Sequence, residues 1–292
     1  MQTIRNEFLT VQISEHGAEL QSIRDKNTNT EYLWQGDPAI WGRRAPVLFP
    51  IVGALHNGEY SYAGKTYQMG RHGFARDRDF AVVQQSADEV IFELNDDAES
   101  RKIYPFAFNL RIRYALLGNL LKVRYYVTNP SKTEPLWFSI GGHPAFNTGL
   151  GQTSGTAQDY LRFSPKKSRV TIPLGEGGGA DLQERTLAPT DVDLAITDKL
   201  FAHDALIYEL AGENTVSLRQ ENSDHRVELT VKDAPYIGIW SQYPKTGPFV
   251  ALEPWWGIAD PVGHDGQLTH KLGMHQLAPE EQFTAKYRIG IF

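Results

Sequence analysis

Two strictly alternating stretches joined by Leu117-Gly118-Asn119-Leu120 constrain this chain more than any other feature. Leu110, Ile112, Tyr114 and Leu116 alternate with Arg111, Arg113 and Ala115, and Leu121, Val123, Tyr125 and Val127 alternate with Lys122, Arg124 and Tyr126. A period of two puts all the apolar side chains on one face of a strand and leaves the other face wet. Gly118-Asn119 lies between the stretches. It is a hairpin signal, because a two-residue turn needs backbone angles that glycine and asparagine tolerate.

The same alternation runs through Leu9, Val11 and Ile13. Further strands are expected over residues 90–94, 215–218, 227–231 and 287–291, and continuous buried strands over 136–140, 236–240 and 248–252. Helical signals are short, a turn or two over residues 98–103 and 279–282. Many short strands without alternating helices argue for antiparallel sheets packed as a large all-β sandwich. The best linker candidate, Leu174-Gly175-Glu176-Gly177-Gly178-Gly179-Ala180, is flanked by strand signals on both sides. It reads as a long surface loop, so one domain over residues 1–292 is expected. It lacks the lysine and the strand-loop-helix setting of a phosphate-cradling loop.

Composition narrows the function classes. The formal net charge is −6, with no long basic run for a nucleic-acid partner. No apolar stretch approaches a membrane span, and Met1-Gln2-Thr3-Ile4-Arg5-Asn6-Glu7 lacks the regions of a signal peptide. A soluble cytoplasmic protein is expected. The absence of cysteine excludes disulfides and thiolate zinc sites. The nine histidines include no His-x-His or His-x-x-x-His pair, so neither metal nor cofactor is expected. His264, His270 and His275 read as surface residues. Gly-x-Ser-x-Gly is absent.

Four segments could carry chemistry. Ser139-Ile140-Gly141-Gly142-His143-Pro144-Ala145-Phe146-Asn147 places one histidine among turn-forming residues directly after a buried run. Imidazole donates or accepts a proton near neutral pH at little cost. Ala251-Leu252-Glu253-Pro254-Trp255-Trp256 has the same form and offers a carboxylate. A carboxylate ending a buried strand is costly unless paired, hydrogen-bonded or useful. The flanking tryptophans raise its pKa, and Trp255 could pack against the C–H face of a sugar. Met69-Gly70-Arg71-His72-Gly73-Phe74-Ala75-Arg76-Asp77-Arg78-Asp79 groups arginines, a histidine and aspartates around Gly73. Arginine forks suit hydroxyls, carboxylates and phosphates. Trp41-Gly42-Arg43-Arg44-Ala45-Pro46-Val47-Leu48-Phe49-Pro50 puts two arginines before a buried strand. For each segment the bland alternative stays open: a capping histidine, a carboxylate bonded to backbone, or a solvated charged loop.

Taken in order, these segments resemble the aldose 1-epimerase (galactose mutarotase-like) family, most nearly its LacX-like branch. Trp41 to Gly53, His72-Gly73-Phe74-Ala75-Arg76-Asp77, Tyr104-Pro105-Phe106, Gly142-His143-Pro144-Ala145-Phe146 and Leu252-Glu253-Pro254-Trp255-Trp256-Gly257 carry the resemblance. It implies a β-supersandwich, and an activity that interconverts sugar anomers without a cofactor on a small free or phosphorylated sugar. It also implies roles: His143 as general acid, Glu253 as general base, and His72 as a second histidine at the sugar. Arg44 and Arg76 match substrate-binding arginines of the hexose-6-phosphate branch. Asp204, in Phe201-Ala202-His203-Asp204-Ala205, matches the family's sugar-binding aspartate.

Galactose mutarotases carry a His-x-Tyr-Phe pattern where this chain has His143-Pro144-Ala145-Phe146, and they lack Trp255-Trp256. These departures keep the acid and base and loosen the tie to galactose. The mechanism so implied uses His143 as imidazolium and Glu253 as carboxylate on opposite sides of the sugar. Two other classes fit the same surface. A carbohydrate-binding protein would make no use of the pair, and a glycoside hydrolase would need two carboxylates.

Overall fold

A computed structural model describes residues 1–150, 158–197, 199–243 and 248–292. The hairpin forms as the alternation predicts. Asn109–Leu117 and Leu120–Thr128 pair antiparallel through Gly118-Asn119. Leu121, Val123, Tyr125 and Val127 are buried, while Lys122 faces water. This hairpin supplies two interior strands of a nine-stranded sheet that also takes in Glu89–Asn95, Asn214–Gln220, Arg226–Val231 and Gln282–Ile291. An eight-stranded sheet contains Val47–Leu48, Ile140–Gly142, Phe249–Trp256, Tyr236–Trp240 and Leu206–Glu209 as neighbours. The named strand pairs in both sheets are antiparallel.

The two sheets pack face to face, which makes the expected all-β sandwich. Tyr125 and Tyr287 of the first sheet share a hydroxyl contact at 3.3 Å. Tyr125 also meets Trp256 of the second at 6.3 Å between ring centres. Gly142 permits this approach, because a Cβ there would lie 2.9 Å from both tyrosine oxygens. Gly141-Gly142 is therefore not the abrupt strand exit expected from sequence. It is part of a strand stripped of side chains so that two sheets can close on it.

Other local expectations shift. The run over residues 136–140 is broken at Ser139 into Leu136–Phe138 and Ile140–Gly142. Ser139 turns there because its Oγ accepts from Val52 N (2.9 Å) and its N–H donates to Pro50 O (2.8 Å). One helical turn forms at Ser100–Ile103, where Asp97 Oδ1 accepts from Ser100 N at 2.6 Å. Residues 279–281 make no helix and lead into the strand Gln282–Ile291. No helix among the described residues is long and apolar enough to cross a membrane.

Candidate functional site

One strand register builds the centre of the site. Ile140 and Gly141 pair with Trp256 and Trp255, and Ala145 and Phe146 pair with Ala251 and Val250. His143 lies in the break between these two short ladders, and the same register puts it opposite Glu253. The N–H of Leu252 donates to Pro144 O at 3.0 Å and holds the break closed. On its other side Glu253 pairs with Gly238, and Gly238 pairs with Ile207. Cross-strand neighbours share a face, so His143, Glu253 and Ile207 point together out of the eight-stranded sheet, on the side away from the core. Gly238 contributes no side chain to this row; a Cβ there would come within 2.6 Å of the Trp255 indole.

Glu253 therefore lies inside the strand Phe249–Trp256 and not at its end. Pro254 misleads at this point, because a proline normally bars a central strand. The two tryptophans that follow part company: Trp255 joins the apolar cluster beside the site, and Trp256 joins the main core.

A cavity of about 480 Å³ opens over this row, within the size range of small-molecule sites. His143, Glu253, His72, Arg76, Asp204 and Trp255 all line it, so one opening gathers residues from four separate stretches of chain. Arg44 is the exception. Its side chain turns away and donates to Gln21 O at 2.7 Å. Its backbone still serves the site, since Arg44 O accepts from Ala145 N at 2.9 Å.

The sequence gives no individual site role to Trp41 or Arg71, marks Trp240 only as the end of a buried strand and Gly178 only as part of a surface loop, and does not single out Tyr243. All five line the cavity. Trp41 stacks on His143 at 5.0 Å between ring centres, and Trp240 meets it edge-on at 5.7 Å. Arg71 Nη1 lies 3.2 Å from Asp204 Oδ2, while Arg76 donates to Arg71 O at 2.9 Å. The glycine-rich stretch is thus a wall of the site, and a Cβ on Gly178 would strike the Arg71 guanidinium. No pattern within these loops announces this; long-range packing supplies it.

The electrostatics follow from burial. His143 Nε2 and Glu253 Oε1 are 3.2 Å apart, with side chains 9% and 2% exposed. Burial pushes the His143 imidazole down to about 3, and the Arg76 and Arg71 charges add to the effect. Burial, helped by the Asp204 carboxylate, drives Glu253 well above the usual carboxylate range, opposed in part by the Trp255 indole. Desolvation thus works against the charged form of each partner. The imidazolium and carboxylate that the resemblance implies would have to form against this desolvation. The pair also stands in direct contact on one wall and does not flank the opening.

His72 is a different kind of group. Its Nδ1 accepts from Gly53 N at 3.1 Å, so the ring proton sits on Nε2. Burial, then His143 and Arg76, hold its pKa well below the ordinary value and keep it neutral. His72 and Asp204 both take left-handed backbone angles, with φ of 69° and 71°. Non-glycine residues hold such angles where the surroundings enforce them.

Among the described residues, eight buried side-chain polar atoms lack a partner. Four of them, His143 Nδ1, Glu253 Oε2, Trp255 Nε1 and Arg76 Nε, belong to residues of this cavity. Buried polar atoms are normally paired, so the cluster leaves this cavity with unused hydrogen-bonding capacity. His264 also departs from expectation. Its side chain is 7% exposed, with Nδ1 3.3 Å from Asp260 Oδ2.

Known proteins resemble this chain over nearly its whole length. The family described as aldose 1-epimerase matches residues 1–289. The plasmid-encoded protein LacX of Lactococcus lactis subsp. lactis is 34% identical over 296 residues, covering 99% of this chain and 98% of LacX. A galactose mutarotase related enzyme from Lactobacillus acidophilus superposes with a TM-score of 0.97 at 48% identity, over 100% of this chain and 97% of that one. A galactose mutarotase-like protein from Lactobacillus casei ATCC 334 gives 0.91 at 33% identity, over 100% of both chains.

Proposed function

Because this chain belongs to the aldose 1-epimerase family, we propose that it interconverts the α and β anomers of an aldohexose, with His143 and Glu253 as its acid–base pair. The single observation that carries this reading is their 3.2 Å contact on a cavity wall, with an unpartnered atom left on each. Anomer exchange requires a proton to leave the O1 hydroxyl and another to reach the ring oxygen O5. The C1–O5 bond then breaks, the aldehyde turns about C1–C2, and closure reverses the transfers. A pair that holds one proton can do both without net gain or loss.

Moving that proton across the His143–Glu253 contact creates the working forms. Glu253 as carboxylate accepts from O1, and His143 as imidazolium donates to O5. The sugar hydroxyls solvate the charges as they form. His72 Nε2–H would donate to a hydroxyl, and the Asp204 carboxylate would accept from one. Trp41 and Trp240 would hold the imidazole plane. Trp255 supplies an apolar wall beside the pair.

Arg71 and Arg76 on the cavity wall favour a second reading of the substrate, a 6-phosphorylated hexose. Arg44, assigned to that role from sequence, does not reach the cavity. Saturation-transfer NMR over free and 6-phosphorylated aldoses tests both points. Glu253→Gln and His143→Asn should each lower exchange roughly a hundred- to ten-thousand-fold while the fold persists. Near-normal exchange in either variant would refute the assignment. Sugar binding with no exchange in the parent would leave a carbohydrate-binding protein. Release of reducing sugar from an oligosaccharide would point to glycoside cleavage instead.

A further inference from the structure

We propose that the outer face of the nine-stranded sheet holds a second ligand site, for a small molecule carrying two or three linked phosphates. The argument starts from a conflict in the strand register. Arg124 stands directly opposite Arg113 on one neighbouring strand and opposite Lys286 on the other. One step along, Lys122 stands opposite Arg288. Like charges placed directly across a ladder are destabilising, and this face stacks three such pairs in a protein whose net charge is −6.

These cations are gathered around a depression of about 280 Å³, which Lys232 also borders. The depression shares no lining residue with the sugar cavity. Two of its six cations are neutralised: Arg113 pairs with Glu89, and Arg288 lies 3.4 Å from Glu213. Among the described residues, Lys122, Arg124, Lys232 and Lys286 have no carboxylate partner. Arg124 donates only to the Tyr126 hydroxyl, at 3.3 Å. The floor beneath them is the closed sandwich, with Val123 and Tyr287 buried. Apolar packing therefore does not account for the charges above it.

Size and charge select the ligand. Alternate residues on a strand are about 7 Å apart, and four adjacent strands span about 14 Å. That footprint suits a compact polyanion. Lysine ammoniums act as point charges on phosphate, and the Arg124 fork can take two oxygens. A long nucleic acid would extend past the depression onto a surface of net negative charge, which repels it. None of this was visible in the sequence, because each cation alternates with an apolar residue and no basic run exists. The sheet collects them from three strands and from the residue that follows a fourth.

Titration calorimetry of the full chain with inorganic triphosphate, with orthophosphate for comparison, tests the proposal. Saturable one-to-one binding is expected, tighter for triphosphate and at least about tenfold weaker when salt rises from about 0.05 to about 0.5 M. Lys286→Gln and Lys122→Gln should each weaken it several-fold, and Lys286→Glu more so, with sugar exchange unchanged. Both lysines are exposed, and removing a like-charge neighbour should leave the melting temperature level or raised. Absence of saturable binding, binding that survives the Lys122→Gln/Lys286→Gln double variant, or tighter binding of a single-stranded oligonucleotide than of triphosphate would each overturn the proposal.

Discussion

His143 and Glu253 meet at 3.2 Å because the register of two antiparallel strands makes them opposite numbers across a gap in the ladder. Burial disfavours the charge on both groups by opposite routes, lowering the imidazole and raising the carboxyl. Two groups this close titrate as a unit.

A flat pH profile follows. An imidazolium acid with the ordinary value of 6.5 would make the rate rise about tenfold as pH falls from about 7.5 to about 5. For the coupled pair, kcat/KM over the same interval should change less than about twofold, because the proton count is constant. Stopped-flow polarimetry across buffers reads this directly. A tenfold rise toward acid would mean that His143 titrates alone.

The same burial predicts a stability effect of defined sign. Glu253 is raised above its ordinary 4.5. Its contribution is fully present below that value and is lost as pH rises toward the folded pKa, because the unfolded chain ionises more easily. His143 behaves oppositely: its contribution is full above 6.5 and is lost as pH falls toward about 3. Glu253→Gln removes the first dependence. Its melting temperature should exceed the parent's, by more at pH 8 than at pH 5. Equal differences at both values would show that the carboxyl is not held neutral in the fold.

Gly142→Ala should destabilise by about 1–3 kcal/mol, the usual cost of overpacking. The added methyl would lie 2.9 Å from the Tyr125 and Tyr287 hydroxyls. Tyr287→Phe in the same chain should recover part of the loss, since it deletes one of the two atoms struck. Chemical denaturation of the single and double variants measures the coupling. Strictly additive losses would place the strain elsewhere.

Trp41→Ala should lower kcat/KM roughly ten- to a hundred-fold, because a small displacement of a catalytic group costs that much. Trp41→Phe should retain most activity by preserving a ring over the imidazole. Trp41→Leu, which keeps apolar volume without the ring, should resemble alanine. Parent-like rates in the alanine variant would show that the 5.0 Å stack does not position His143.

The hairpin over residues 109–128 was legible because a period of two needs no knowledge of distant contacts. His143 and Glu253 were legible as chemistry, since each interrupts an apolar run. Their pairing was not legible, because register is a property of two strands together. Pro254 hid the continuation of the strand to Trp256. Arg71 and Trp41 sit in quoted segments, yet only tertiary packing turns them toward the cavity and turns Arg44 away. The charged face of the nine-stranded sheet was the least visible feature. Alternation disperses its cations along the chain while folding brings them side by side.

The proposed acid–base pair is fastened to ladders that also close the interior, whereas Trp41, Arg71, Asp204 and Gly178 come from connecting loops. Sheet positions tolerate little change, and loops tolerate much. Chemistry and sugar preference are therefore separable in this scaffold. On the proposed function, redesigning the rim should change which carbohydrate is accepted, while His143 and Glu253 stay where the backbone put them.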